Sequence, residues 1–408
     1  MDNKIISQLP SMKSEKELYS ELLNLPKYDH EICVKSSTER LIALSDIYDI
    51  YIPSEMTYEI YSKLYLALLN SLKKKSTRAA VIQQGENTKA IRNMEHRGIL
   101  GGSDSFTVIG LSGIGKSTAI YKSIELITEN RVIEINSPYT KIIPCLVVQC
   151  PFDSSVKGLL LEILRKADEI LNSRYYENAL RARATTDMLI GSVSQVALNH
   201  IGLLVVDEIQ NVVGNKNGQS LVGMLTQLIN NSGISICMVG TPKCKIFFEK
   251  EMQLARRSLG LEYGAEGYNN FFFNFCRTLF EFQYTKNRGS FTDEIGRWLY
   301  EHSGGIVSVV VSLIHDAQEI AILDGSEELN TQSLNKAYKK RMSLMRRYID
   351  SSPVQKHYTQ RSRQKISENN SISNNISISR SQAGTGIIRK VTAASKYAPK
   401  NISFLFMT

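Results

Sequence analysis

One stretch decides the fold of this 408-residue chain: Phe106-Thr-Val-Ile-Gly110-Leu-Ser-Gly113-Ile-Gly115-Lys116-Ser117-Thr118. Its first four residues suit a buried strand, and the residues that follow it, Ala119–Ile127, are predicted as a helix. Between them lies GxxxxGK followed by Ser, in the strand, loop and helix order that a phosphate-binding P-loop requires. An ordinary glycine-rich turn is the alternative, and it would not need this context. The sequence therefore predicts an α/β domain built around a P-loop.

The residue types in this loop are those that hold nucleotide phosphates. Its glycines let backbone N–H groups turn inward around phosphate oxygens, and the helix N-terminus adds a partial positive charge. Lys116 would reach the β- and γ-phosphates, and Ser117 would ligate Mg²⁺. ATP and Mg²⁺ are the predicted cofactors. The candidate binding set is Gly110, Ser112, Gly113, Ile114, Gly115, Lys116, Ser117 and Thr118.

A second apolar strand, Leu203–Val206, ends in two carboxylates about 90 residues after the P-loop. Asp207 is predicted to share the Mg²⁺ shell with Ser117, and Glu208 to orient or deprotonate the attacking water. Many strands end in acids, so the pair is informative only because a P-loop precedes it and another strand follows it. A glutamate directly after the aspartate favours a hydrolysing ATPase over a small-molecule kinase.

Two later segments offer further contacts with the γ-phosphate. Thr241 follows the strand Ile234–Val239 and could sense that phosphate; its alternative role is to cap the next helix. Arg256 and Arg257 could supply an arginine finger to the nucleotide of a neighbouring subunit, or they could form a solvated surface pair.

Four regions are predicted along the chain. Residues 1–100 form a helical N-terminal region for partner or adaptor contact, with an amphipathic helix over Tyr61–Leu72 that ends at Lys73–Lys75. Residues 101–290 form the α/β core, 291–350 a small helical lid and 351–408 a tail.

Apolar runs alternate with helices in the core, which indicates a parallel sheet covered on both faces. The predicted strands are Phe106–Ile109, Cys145–Val148, Leu203–Val206, Ile234–Val239 and Thr278–Phe282.

The tail 351–408 carries nine basic residues and one acidic residue, so it holds +8 of the net charge of +9. Its Ser/Asn-rich composition predicts disorder in isolation. The apolar end, Ile402–Met407, could order on a partner; the alternative is an inert end. The rest of the chain is close to neutral.

The composition excludes several other classes of protein. Six scattered cysteines without CxxC pairs indicate reduced core residues rather than disulfides or zinc ligands. The longest apolar run, near Ile306–Ile314, is far below the roughly 18 residues that a membrane span needs, so no membrane association is expected. The N-terminus lacks a secretory pattern. The expected location is the bacterial cytoplasm, in association with the nucleoid.

Taken together, these motifs resemble those of AAA+ ATPases. A narrower resemblance lies in Cys150–Leu159, Ile163-Leu164 and Leu171–Tyr175, which are similar to the transposon target-selecting ATPases TnsC, TniB and MuB. Ile47–Pro53 also resembles the segment before their ATPase domain. The resemblance covers roughly Leu41 to Tyr348, and the segment 150–175 is its discriminating part.

This resemblance implies an ATP-dependent transposition regulator. Such proteins form rings or filaments around target duplex DNA, with nucleotide at the subunit interfaces, and connect a TniQ- or TnsD-like adaptor to the transposase. Contacts to the DNA backbone are salt-sensitive and largely independent of sequence. A solvated basic face is the alternative for the residues that the resemblance points toward DNA: Lys157 and Ser173, with Arg174, Arg181 and Arg183 as further candidates.

Two other functions stay open at this stage. One is a signalling ATPase of the STAND type, which the nearly neutral body permits although no C-terminal repeat array is present. The other is an IstB-like helper or helicase loader. One departure from the AAA+ pattern also stands out: the segment Gly304–Val309 lacks the arginine that many AAA+ lids carry early in a helix.

Overall fold

A six-stranded sheet forms the centre of the computed structural model, which describes residues 5–100, 105–136, 139–213, 215–216, 218–245, 248 and 260–342. All the described residues lie in one compact unit that spans Met1–Ser352. The strands are β1 (Phe106–Gly110), β2 (Ile133–Asn136), β3 (Tyr139–Gln149), β4 (Ile201–Asp207), β5 (Ser235–Gly240) and β6 (Leu261–Tyr263). Their order is β2-β3-β4-β5-β1-β6; β2 pairs antiparallel with β3, and the other described neighbours are parallel.

Helices cover both faces of the sheet and form the regions before and after it. The α-helices of the described residues are α1 (Glu15–Leu22), α2 (Ser37–Ala43), α3 (Glu55–Lys75), α4 (Arg78–Ile91), α5 (Lys116–Thr128), α6 (Val156–Leu171), α7 (Tyr175–Arg181), α8 (Thr186–His200), α9 (Gly218–Ser232), α10 (Asn270–Glu281), α11 (Asp293–Ser303), α12 (Val307–Asp324) and α13 (Thr331–Arg341). Short 3-10 helices lie at Ile6–Gln8, His30–Val34, Leu44–Asp49, Ile209–Val212 and Pro242–Cys244.

The predicted α/β architecture is confirmed, with one wrong strand. Thr278–Phe282 was predicted as a strand, but residues up to Glu281 belong to α10. The Asn269 side chain caps this helix by accepting a hydrogen bond from the backbone N–H of Phe272, at 2.8 Å. The apolar residues then fall on one helical face rather than alternating, so helix periodicity prevails over the β-propensity of the aromatic run. The buried residues of that face are Phe272, Phe275, Cys276, Leu279 and Phe280.

The two faces of the sheet are covered by different parts of the chain. Helices α6, α8 and α9 pack on one face. On the other face α5 is joined by α3 from the N-terminal region. The predicted amphipathic helix is confirmed within α3, where Leu64 and Leu68 are fully buried. Burying one leucine stabilises a fold by roughly 1.5–3 kcal/mol. The N-terminal region therefore completes the core.

A buried ion pair ties the N-terminal region to the lid. Arg40 in α2 is 1% exposed, and its Nη1 and Nη2 donate to the carboxylate of Glu327 at 2.6 and 2.7 Å. Glu327 lies between α12 and α13. Arg40 Nη1 also donates to the Tyr284 carbonyl at 3.0 Å. The segment 28–50 thus packs on the lid, while α3 packs on the sheet.

All six cysteines are free.

Within the described ranges no single helix has the length and apolar character to cross a membrane. Helices α11 and α12 have that length and character only when they are counted as a pair, and the pair is bent by 117° at its break.

Candidate functional site

The carboxyl ends of the parallel strands bring the predicted site residues to one edge of the sheet. The register pairs Val108 with Val239 and Gln149 with Asp207, so β1, β3, β4 and β5 end at the same level. In parallel α/β sheets this edge is where ligands bind. The P-loop follows β1, and the acidic pair and Thr241 follow β4 and β5.

The P-loop backbone requires its glycines. Gly113 and Gly115 have φ angles of +83° and +95°, in the left-handed region that L-residues with side chains rarely adopt. A Cβ on Gly113 would also overlap Ser308 Oγ, in the first turn of α12. The loop therefore has the inward-turned backbone that phosphate oxygens need, and it lies directly against the lid.

Lys116 lies at the start of α5 with its ammonium turned back over the loop. Its Nζ donates to the Leu111 carbonyl at 2.7 Å, and the residue is only 8% exposed. Burial lowers the pKa of Lys116, while the carboxylates of Asp207 and Glu208 act in the opposite direction. A partly desolvated cation is stabilised by a nearby anion, so this position suits a phosphate.

Ser117 and Asp207 meet as predicted. Ser117 Oγ donates to Asp207 Oδ2 at 3.3 Å, and Asp207 Oδ1 accepts the backbone N–H of Glu208 at 2.7 Å. Hydroxyl and carboxylate oxygens are the ligands that Mg²⁺ prefers. These two side chains fit the metal role that the sequence predicts for them.

Gln210, which the sequence analysis did not single out, bridges the acidic pair to Thr241. Its Nε2 donates to the Glu208 carboxylate, and its Oε1 accepts the Thr241 backbone N–H at 3.1 Å. Thr241 Oγ1 is buried and has no hydrogen-bond partner among the described residues. A buried, unsatisfied hydroxyl at the strand edge is consistent with a bound polar group, as the predicted sensor role requires. An amide residue two positions after the glutamate is the signal that could have identified Gln210.

We expect Gln210→Ala to lower kcat for ATP hydrolysis about 10- to 100-fold, with the KM for ATP changed less than about threefold. A hydrogen bond to a charged group contributes about 1.5–3 kcal/mol, and 1.36 kcal/mol is tenfold in rate. Steady-state phosphate release measures both constants. The control is Gln332→Ala, because Gln332 is exposed on α13. Equal kcat in the two variants would remove Gln210 from the site.

A cavity of about 470 Å³ extends from the P-loop into an apolar chamber. This volume lies within the usual range for small-molecule sites. Three parts of the chain form the chamber wall, which suits a planar base: Tyr48, Ile50 and Ile52 before α3, Phe271 and Phe275 of α10, and Val307, Val311 and Ser312 of α12. Four residues of the segment Ile47–Pro53 thus line the cavity, which its sequence alone did not reveal: Tyr48, Ile50, Tyr51 and Ile52.

The lid reaches the P-loop through its backbone. Ser308 N donates to the Gly113 carbonyl at 3.1 Å, at the place where the expected lid arginine is missing. The position of α12 is therefore linked directly to the shape of the phosphate-binding loop.

The predicted DNA-facing residues lie at opposite ends of α6. Lys157, in the first turn, is exposed and has no hydrogen-bond or ion-pair partner within the described part of the chain. Ser173 follows the last turn and donates from Oγ to Asp168 at 2.6 Å. At 1.5 Å per residue the 16-residue helix separates these ends by roughly 24 Å. The structure does not bring the two residues together.

The remaining DNA candidates surround α7. Arg174 precedes this helix, Arg181 pairs with Glu177 at 3.3 Å, and Arg183 follows the helix with a φ of +47°. All three arginines are exposed. Their contact with DNA stays a prediction, as does that of Lys157 and Ser173. The candidate fingers Arg256 and Arg257 and the tail 351–408 lie outside the described residues.

Fold and site together define a P-loop protein with a largely parallel sheet, the fold that the resemblance to the AAA+ class implies. Within that class, residues 102–260 match the sequence model of the family described as Bacterial TniB protein. The resemblance to TnsC- and TniB-like regulators is therefore confirmed for this core.

Several solved structures match this chain at low sequence identity. Orc1 of Aeropyrum pernix, in complex with DNA, is 15% identical with a TM-score of 0.42, over 64% of this chain and 64% of that chain. Orc2 of the same organism, in its ADP form, is 16% identical with a TM-score of 0.40, over 65% and 68%. C. elegans PCH-2 is 13% identical with a TM-score of 0.38, over 74% and 72%. The chain thus spans slightly less than two thirds of the Orc1 protein. No curated protein gives a significant sequence match.

Proposed function

We propose that this protein is an ATP-dependent regulator of DNA transposition that assembles on target duplex DNA without sequence preference. It would link a TniQ- or TnsD-like adaptor to the transposase, in the bacterial cytoplasm with the nucleoid, and it would hydrolyse ATP. The observation that carries the proposal is the TniB match over residues 102–260, the part of the chain that contains both the P-loop and the acidic pair.

The arrangement of side chains supports hydrolysis. Glu208, held by Gln210, would accept a proton from the attacking water and orient it. Lys116 and the backbone N–H groups of the loop would bind the phosphates, and Thr241 would contact the γ-phosphate. Mg²⁺ would be held by Ser117 and Asp207, and when bound it neutralises charge on the phosphates.

The oligomer and its DNA contacts belong to the same proposal. One of Arg256 and Arg257 would complete the nucleotide site of a neighbouring subunit. Lys157 is exposed and unpaired in the described structure, and it is the first DNA contact that we propose for this protein. A phosphate contact by a lysine contributes to affinity on any sequence, because it neutralises charge and releases counterions.

The test is binding of a labelled random duplex at several salt concentrations, with a non-hydrolysable ATP analogue and with ADP. We expect cooperative binding that requires the ATP analogue and is abolished in Lys116→Ala. Lys157→Ala should bind severalfold more weakly and lower the slope of log K against log salt by about 1. Lys16→Ala, which removes an exposed lysine of α1, is the matched control and should bind like the wild type.

Each arm of this experiment can contradict part of the proposal. If duplex DNA is ignored in every nucleotide state, the DNA-facing role fails and the STAND-type signalling function becomes the leading one. If Lys116→Ala still binds DNA normally, nucleotide does not control assembly. If Lys157→Ala and Lys16→Ala keep the same salt slope, the DNA surface lies elsewhere.

A further inference from the structure

Two hydrogen bonds join Asn211, in the turn after the acidic pair, to the loop 150–155 that precedes α6. Asn211 Nδ2 donates to the Cys150 carbonyl at 2.9 Å, and Ser154 Oγ donates to the Asn211 carbonyl at 2.8 Å. The backbone N–H of Asn211 donates to the Glu208 carbonyl at 3.0 Å, and that of Cys150 donates to the Asp207 carbonyl at 2.8 Å. Asn211 is therefore bonded to the loop on one side and to Glu208 on the other.

The inner side of loop 150–155 is buried and strained. Ser154 is fully buried and has a φ of +52°, a left-handed conformation that is costly for serine. Within the described residues its hydroxyl bonds to the Asn211 carbonyl, so this contact helps to hold Ser154 in that conformation. Glu208 is left-handed as well, with a φ of +58°. Both left-handed residues are thus bonded to Asn211, Ser154 through its hydroxyl and Glu208 through its backbone carbonyl.

The outer side of the same loop is open to a partner. Phe152 is 88% exposed, although its carbonyl accepts a hydrogen bond from Asn215 Nδ2 at 3.4 Å. Ser155 caps α6 by accepting the Gly158 N–H at 3.1 Å, and this cap places Lys157 in the first helical turn. A ligand that contacts Lys157 would therefore lie next to loop 150–155, which is bonded to Asn211 on its inner side.

We infer that Ser154 and Asn211 are positioning residues that transmit occupancy of the Lys157 surface to Glu208. The occupant is duplex DNA, and this part of the inference rests on the proposed function. Contact with DNA would order loop 150–155, the two bonds of Asn211 would order the turn at 209–212, and Glu208 would be held in its catalytic position. DNA would then raise kcat without changing ATP affinity.

The test measures kcat and KM for ATP with and without random duplex, together with DNA affinity in the ATP analogue. For the wild type we expect DNA to raise kcat about fivefold or more, the lower end of the usual range for coupled sites. Asn211→Ala and Ser154→Ala should bind DNA and ATP like the wild type, but their rise should be less than about twofold. Asn335→Ala is the control, because its amide also bonds a backbone carbonyl, that of Thr331, but in α13.

The outcomes separate this inference from the proposed function. If DNA raises the kcat of both variants as much as that of the control, Ser154 and Asn211 do not couple DNA to Glu208. If the wild type binds DNA but its kcat does not change, the inferred coupling is wrong and the proposed function stands. If the wild type binds no DNA, the proposed function is wrong, and the inferred coupling of DNA to Glu208 is then wrong as well. Ser154→Ala leaves every bond of the Asn211 side chain in place, so it keeps the test decisive if Asn211→Ala does not fold.

Discussion

Glu208→Gln is expected to lower kcat for ATP hydrolysis by about 10²–10⁴-fold, the usual contribution of a general base. The amide keeps the size and hydrogen-bonding reach of the carboxylate but cannot accept the proton of the attacking water. ATP binding should be retained, because the P-loop and Ser117 hold the nucleotide independently of Glu208. The same variant should therefore stabilise the ATP-bound assembly on DNA.

Single-turnover hydrolysis and equilibrium binding of a fluorescent ATP analogue measure these two effects separately. Glu294→Gln, an exposed position on α11, is the matched control and should behave like the wild type. If Glu208→Gln fails to bind ATP, the role assigned to this residue is wrong. If it binds ATP and hydrolyses it normally, the base must be sought among other residues at the strand edge.

Arg40→Ala is expected to lower the free energy of unfolding by about 3 kcal/mol, the lower end of the usual cost of removing one partner from a buried ion pair, because the Glu327 side chain is 13% exposed. The truncation leaves the Glu327 carboxylate without its guanidinium and the Tyr284 carbonyl without its donor. Urea denaturation measures the loss. The control is Lys336→Ala. Its partner is Asp324 at 2.6 Å, but these side chains are 35% and 34% exposed, so a loss of only about 0–1 kcal/mol is expected.

The effect of Arg40→Ala should depend on pH. Hydrogen bonding to Arg40 holds the pKa of Glu327 below its ordinary value of 4.5. Because the folded-state pKa is the lower one, this stabilisation is fully present above pH 4.5 and is lost as the pH falls through the folded pKa. The difference between wild type and variant should therefore shrink below pH 4.5. A difference that stays constant down to pH 3 would show that lost packing of the Arg40 side chain, rather than its charge, is responsible.

The chemistry at the strand edge could be predicted from sequence because it is encoded at short range. A P-loop needs its glycines, Lys116 and Ser117 at fixed offsets, and Asp207 needs only to end a strand. The contact between Ser117 and Asp207 then follows from the parallel arrangement of β1 and β4. The error at Thr278–Phe282 has the opposite cause: a short apolar run fits strand and helix equally well, and the cap at Asn269 decides between them.

The sequence by itself thus determined the class of fold, the phosphate-binding loop and the acidic pair, because local spacing dictates both the backbone and the reactive groups. Only the tertiary structure decided what surrounds them. Gln210 meets Thr241 across 31 positions, and Arg40 meets Glu327 across 287. The N-terminal region and the lid likewise converge on one chamber. No periodic pattern specifies such pairs, because they depend on how packed helices bring distant segments together.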